Sequence, residues 1–262
     1  MRYFIALLLI SGASGIQAQR LPAHAIGIAV GPSFYQRPTV TASEGGTNAR
    51  FDLNGWSGAL SYRRWLSAKW YAIGSFRTDI NTIGFVWNGD MQPMGHWADP
   101  NDASIGLPPH QFYFSAARID LGMSVLQRGR WGMRGEAGIE VLAMPSISMG
   151  YSQTATVDGV EVPNALSYRI ITDYEARLYQ RLRVGVASVY TGPRLNEWAF
   201  SVAGLLGLQP DMLTGRYAVV TSTGTERGTL TSGLSGMEIS IARWFTWGQP
   251  KLPRWAEKVS AP

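Results

Sequence analysis

No cysteine occurs among the 262 residues. Its absence excludes a disulfide framework, a thiolate metal site and a lipid-modified N-terminal Cys. Charge is scarce as well: Asp, Glu, Lys and Arg make up only 16% of the chain, below the share usual for a soluble domain. The formal net charge of +5 is not gathered into a basic tail or block, so the composition argues against nucleic acid as a partner. Histidine is limited to His24, His96 and His110. The apolar run Tyr3 to Ile10 is far too short for a membrane-spanning helix, which needs roughly 20 residues, and no later stretch reads as one.

That short run has another reading. Met1-Arg2 supplies a positive n-region, Tyr3 to Ile10 an apolar h-region, and Gly12 to Ala18 a small-residue stretch. Cleavage after Ala18 leaves Gln19 first. The expected organisation is a leader at 1–18, one domain at 19–247 and a flexible tail at 248–262 containing Pro250, Pro253 and Pro262. A secreted chain without disulfides needs another source of stability, and a closed hydrogen-bonded sheet in lipid supplies one.

What the chain has in quantity is Gly (30) and aromatics: 10 Trp, 11 Tyr and 9 Phe. These favour strands and tight turns. Apolar and polar residues alternate with period two in segments of roughly 10 to 16 residues, the pattern of strands lining two media. Eight segments show it: His24 to Gln36, Phe51 to Arg64, Lys69 to Thr82, Gln111 to Leu126, Trp131 to Ala143, Leu166 to Leu178, Leu182 to Gly192 and Leu234 to Phe245. The run Tyr217 to Thr221 is strand-like too and would raise the count to ten.

Connections predict the architecture. Trp65 to Ala68, Gln127 to Gly129 and Tyr179 to Arg181 are short; the links near 37–50, 83–110, 144–164 and 193–233 are long. Short turns at one end and long loops at the other are expected of a closed, antiparallel, up-and-down transmembrane β-barrel, with the short turns on the periplasmic side. Trp65, Trp70, Trp131, Tyr179, Trp244 and Phe245 cluster near the short turns and read as a periplasmic aromatic girdle, with basic residues beside them. Phe34, Tyr35, Phe51, Phe112, Tyr113, Tyr168 and Tyr190 read as the opposite girdle.

The other strand faces place charges inside: Arg77, Asp79, Arg118, Asp120, Arg134, Glu136, Glu140, Arg169, Asp173, Glu175, Arg177 and Glu238. An eight-stranded barrel has an interior just wide enough to be filled by side chains. Buried charges must be paired, so this network is expected to block a pore.

At this point the chain resembles the small bacterial outer-membrane β-barrel family of the OmpA/OmpX type. Its last strand, Gly236-Met237-Glu238-Ile239-Ser240-Ile241, partly resembles that family's assembly signal but does not end the chain on an aromatic. The resemblance implies an outer-membrane location, contact with outer-membrane lipids, a monomeric state, no cofactor, and a structural or interaction role through long extracellular loops whose partner is unknown.

Two other classes stand beside it. A lipid-modifying outer-membrane enzyme needs a His near a Ser and a carboxylate, and no His-x-Ser pairing on a strand is present. A soluble secreted ligand-binding barrel would place the apolar faces inside and the charges outside, which periodicity alone does not decide. Asp90, His96, Asp99 and Asp102 fit no metal-ligand spacing and read as a solvated loop. Asp158-Gly159 between Val157 and Val160 predicts a tight hairpin.

Overall fold

A computed structural model describes residues 23–42, 49–88, 104–145, 148–157, 160–171, 177–192, 196–221 and 224–247. The expected leader and tail lie outside the described residues, as do His96, Asp90, Asp99 and Asp102. The described residues form thirteen strands: β1 His24–Tyr35, β2 Thr39–Ala42, β3 Ala49–Trp65, β4 Trp70–Asn88, β5 Ser104–Arg128, β6 Trp131–Met144, β7 Ser148–Val157, β8 Val160–Ile171, β9 Arg177–Thr191, β10 Glu197–Gly207, β11 Leu213–Thr221, β12 Gly224–Ser232 and β13 Gly236–Trp247.

Eight of them close into an antiparallel barrel in the order β1-β13-β10-β9-β6-β5-β4-β3. Closure runs through the first and last strands, paired from His24↔Trp247 to Tyr35↔Gly236, while β1 also pairs with β3 from His24↔Arg64. The period-two faces separate as the alternation predicts. Ile28, Leu60, Phe76, Ile119 and Ile241 point outward and are exposed, whereas Ser57, Arg77, Asp79, Asp120 and Glu140 on the alternate positions are buried.

The short connections that join one barrel strand directly to the next lie at one end. One is the β5–β6 hairpin, where Gly129 takes φ 60° in the left-handed region. A two-residue turn with Gly first matches the right-handed twist of its strands. An L side chain here meets its own backbone, so Gly129→Ala is expected to lower stability by about 1–2 kcal/mol without changing the barrel, measured by urea unfolding in detergent.

The barrel strands differ from the expected set in two places. Leu166 to Ile171, expected as the start of a sixth barrel strand, belongs to β8 in a second sheet. The barrel is completed instead by β10, within the segment read as a long link. Tyr179 to Arg181 is therefore not a turn but the interior of β9, and the third short connection is Gly192 to Asn196, where the Gly192 N–H donates to the Asn196 carbonyl at 2.7 Å. The Tyr217 to Thr221 run sits in β11 of the second sheet, so the barrel has eight strands and not ten.

The second sheet has five strands, β2-β12-β11-β8-β7, all drawn from the long connections. Strands β7 and β8 pair antiparallel with Val157 opposite Val160, while Asp158 and Gly159 of the expected hairpin lie outside the described residues. Barrel strands β3, β4 and β5 run on past their neighbours: β5 has 25 residues but pairs with β6 only from Ser115 onward. Residues 104–114 of β5, nearly half of the strand, therefore extend beyond the part that pairs with β6.

The second sheet packs on this extension and forms a head with its own apolar core. Phe51 and Phe85 meet Tyr168 and Tyr217 with ring centroids 5.8 to 6.3 Å apart. Leu53, Ile83, Trp87, Phe112, Leu142, Ile170, Leu213 and Leu230 complete it. Burial pushes the Tyr168 phenol up to about 12, so the ring stays neutral there.

Candidate functional site: the charged lumen and its seals

Lumen chemistry is set by which strand supplies which inward residues. Strands β1, β10 and β13 contribute mostly Gly, Ala and Ser, while β4, β5, β6 and β9 contribute long charged side chains. Gly27, for instance, has the Trp244 ring where a Cβ would stand. Small residues on one wall give the guanidiniums of the other wall room to cross.

Three levels can be followed along the axis. At the short-turn end, Arg63 and Arg134 converge on Glu197. Arg134 is bidentate, Nη1 to Oε2 at 2.8 Å and Nη2 to Oε1 at 2.6 Å, and Arg63 Nη2 reaches Oε2 at 2.5 Å. Aromatic rings stack on the cations: the Arg63 guanidinium lies 4.6 Å from the Trp244 centroid and 5.5 Å from Trp65, and Arg134 5.2 Å from Trp65. Such stacking is favourable where water is excluded. The cluster closes the lower end.

Above it lies a cavity of about 40 Å³, bordered by Trp244 and Ile73 below, Ala and Ser on one side, and Arg118, Arg183 and Glu136 on the other. Arg183 donates to Glu136 at 3.1 Å, and the Tyr71 hydroxyl donates to the same carboxylate at 3.1 Å. Arg118 Nε stands 2.8 Å from Asp120.

The upper level centres on Arg77. It donates to Asp79 at 2.6 and 2.9 Å, to the Ser33 hydroxyl at 2.9 Å, and to Glu238, with Glu140 3.8 Å away. Glu140 and Arg181 are direct cross-strand partners, and Arg181 donates to Glu140 Oε2 at 2.5 and 2.8 Å. Arg181 also reaches the carbonyl of Leu234, a buried residue held at φ 53°. Leu234 belongs to the apolar core of the head, which therefore begins where the charges stop.

Counted over the described residues, six guanidiniums (Arg63, Arg77, Arg118, Arg134, Arg181, Arg183) face six carboxylates (Asp79, Asp120, Glu136, Glu140, Glu197, Glu238). The interior is neutral without any outside ion.

No family model and no curated protein matches the chain. Among solved structures it is similar to the outer membrane protein OprG from Pseudomonas aeruginosa, with 9% identity and a TM-score of 0.47 over 88% of this chain and 100% of that one. It is also similar to the outer membrane protease OmpT from Escherichia coli, with 8% identity and a TM-score of 0.29 over 90% of this chain and all of that one. A third is the transport unit of the autotransporter AIDA-I from Escherichia coli, at 8% identity and a TM-score of 0.26 over 94% of this chain and 97% of that one.

Of the expected interior charges, Arg77, Asp79, Arg118, Asp120, Arg134, Glu136, Glu140 and Glu238 come together in the lumen. Arg169 does not: it is exposed on the outer face of β8 and donates to the Ser148 hydroxyl at 3.1 Å. Its strand left the barrel, so its parity refers to another sheet. Asp173, Glu175 and the Arg177 side chain lie outside the described residues. Sequence reasoning missed Arg181, placed in a supposed turn, Arg183, beside that turn in the expected strand Leu182 to Gly192, and Glu197, hidden in a supposed link. Arg63 carried a usable signal, since it shares parity with Ser57 and Ser61.

The girdle expectation divides as well. Trp70, Trp131 and Phe245 face outward at the short-turn end, joined there by Trp198 and Trp247. Trp65 and Trp244 are at that end but point inward, as their odd and even positions on β3 and β13 require. Tyr179 lies at the opposite end, buried in the head. Of the second expected girdle, Phe34 and Tyr113 are exposed, whereas Tyr35, Phe51, Phe112 and Tyr168 are core residues of the head. Tyr190 meets Trp131 in a tilted ring contact, with centroids 5.0 Å apart, at the short-turn end.

Proposed function

We propose that this protein is an integral outer-membrane β-barrel, plugged by its own charges, that displays a β-sandwich head outside the cell. One observation carries this reading: the burial pattern is the inverse of a soluble barrel's. Ile119 is 69% exposed on the outside while Glu140 on the inside is 0% exposed. Ile28, Leu60, Phe76, Val184 and Phe200 extend the apolar surface over the barrel strands. A continuous apolar surface of this kind is stable against lipid and not against water. The soluble ligand-binding barrel would show the opposite arrangement.

The head supports a structural or interaction role at the cell surface, and the protein acts as a monomer without a catalytic step or a cofactor. His24 and His110 both sit beside aromatic rings. His24 Nδ1 lies 2.7 Å from the Tyr62 hydroxyl, and His110 packs near Tyr151 and Tyr168. The long-loop end faces outward and the short-turn end, with its exposed Trp and Arg residues, faces the periplasm.

Two measurements test the reading. The protein should fractionate with outer membranes and migrate as a heat-modifiable species on gels; native protein in the soluble periplasm would end the membrane assignment. In planar bilayers it should conduct poorly, since a 40 Å³ cavity between two seals is no channel. Large, stable openings would show that the charges do not plug the lumen.

A further inference from the structure

The outer face of the head sheet takes no part in closing the lumen. Strand register places Gly150, Arg169, Arg216, Thr229 and Thr41 in one row across all five strands. Arg169 and Arg216 are thus direct cross-strand neighbours, and both are exposed. Like charges set directly opposite each other destabilise a sheet. Arg227, opposite Ala218, stands on the same face one strand further on. The one carboxylate on this face among the described residues is Glu161, opposite Thr156 and eight positions before Arg169 on β8, at the other end of that strand from the arginine row. Glu226 points to the other side, where it accepts from the Tyr217 hydroxyl at 2.7 Å.

We propose that this face binds a soluble polyanionic polysaccharide whose carboxylate or sulfate groups bridge Arg169 and Arg216. A planar guanidinium binds such oxyanions bidentately, and one anion between two cations converts the repulsion into attraction. The surroundings suit a sugar chain. Ser148, Thr214, Thr229 and Thr231 offer hydroxyls along a sheet roughly 19 Å wide, from four strand spacings of about 4.8 Å. A glycolipid is a poorer fit, because neither the row nor these hydroxyl neighbours offers an exposed apolar side chain for acyl groups. The proposal rests on the head lying outside the cell, yet binding in detergent is independent of that placement. Surface labelling of intact cells tests the placement separately.

The full chain is refolded in detergent and titrated with polygalacturonate, heparin, neutral dextran and lipopolysaccharide micelles. Both polyanions should bind, more weakly as salt rises from about 0.01 to about 0.15 M, and dextran should not. R169Q/R216Q should weaken polyanion binding by about ten-fold or more. The single variant R216Q should lose part of the affinity while raising Tm, because it removes the like-charge opposition. An equal double change at the other end, R64Q/R128Q, should leave binding as it was. Undiminished binding by R169Q/R216Q, the same loss in R64Q/R128Q, a lowered Tm in R216Q with full affinity, or binding to lipopolysaccharide alone would each overturn the proposal.

Discussion

Ile119→Arg or Leu121→Arg will keep the protein from assembling into membranes. Both side chains are exposed on the outer face of β5, and the row they occupy lies between Ala72 and Gly74 of β4 and Ala137 and Ile139 of β6. An Arg on a barrel's lipid face near mid-bilayer costs about 2–4 kcal/mol. Refolding into phosphatidylcholine vesicles under a urea series, read by the gel shift of the folded form, measures the effect directly. Normal assembly of both variants would mean that these faces meet water, and the membrane reading would fall. Ile170 belongs to a different experiment. It is wholly buried in the head, so Ile170→Arg should disrupt the head core while leaving the outer barrel surface intact.

Arg77→Met should unfold at much lower denaturant than the parent. The substitution removes the cation shared by Asp79, Glu238 and Glu140, all at most 5% exposed. Breaking one side of a buried ion pair costs about 3–5 kcal/mol, because a desolvated charge is left behind. Adding Asp79→Asn and Glu238→Gln to Arg77→Met should recover part of the loss, since the orphaned charges go with the cation. Equilibrium unfolding of the parent, the single and the triple variant in detergent decides the matter. If the single variant loses less than about 1 kcal/mol, the lumen is wet and its charges are solvated rather than mutually held.

The two seals explain why the network tolerates such density. Below, Trp65, Tyr71 and Trp244 exclude water from Arg63, Arg134 and Glu197; above, the head core begins at Leu234. Each excluded water strengthens the ion pairs between them, and the same exclusion makes any unpaired member costly. The balance of six cations against six anions is therefore a condition of the barrel's stability.

Much of the barrel could be read from residue order. Parity along β1, β3, β4, β5, β6 and β13 needs only the period of the strand, so Trp56 and Leu60 against Ser57 and Ser61 already separate two environments. Strand β10 escaped notice because its faces differ in size more than in polarity: Trp198, Phe200 and Leu206 outside, Ala199, Ser201 and Ala203 inside. Trp65 and Trp244 were misplaced by reading their position along the strand without their parity.

Alternation by itself determined that this chain makes paired strands with two unlike faces, and the link lengths that it has two unlike ends. Which medium each apolar face meets was decided only by the tertiary structure. Leu166, Tyr168 and Ile170 alternate as cleanly as Ile119 and Leu121, yet the first set is buried in a protein core and the second is exposed on the barrel wall. Period two is a property of a single strand, whereas burial depends on which other strands arrive. Pairing β8 with β7 and β11 rather than with β9 carried Arg169 out of the lumen and onto an open face. It also left Arg181 and Glu140 directly opposite each other inside the barrel, a contact between residues 41 apart in sequence that no local pattern encodes.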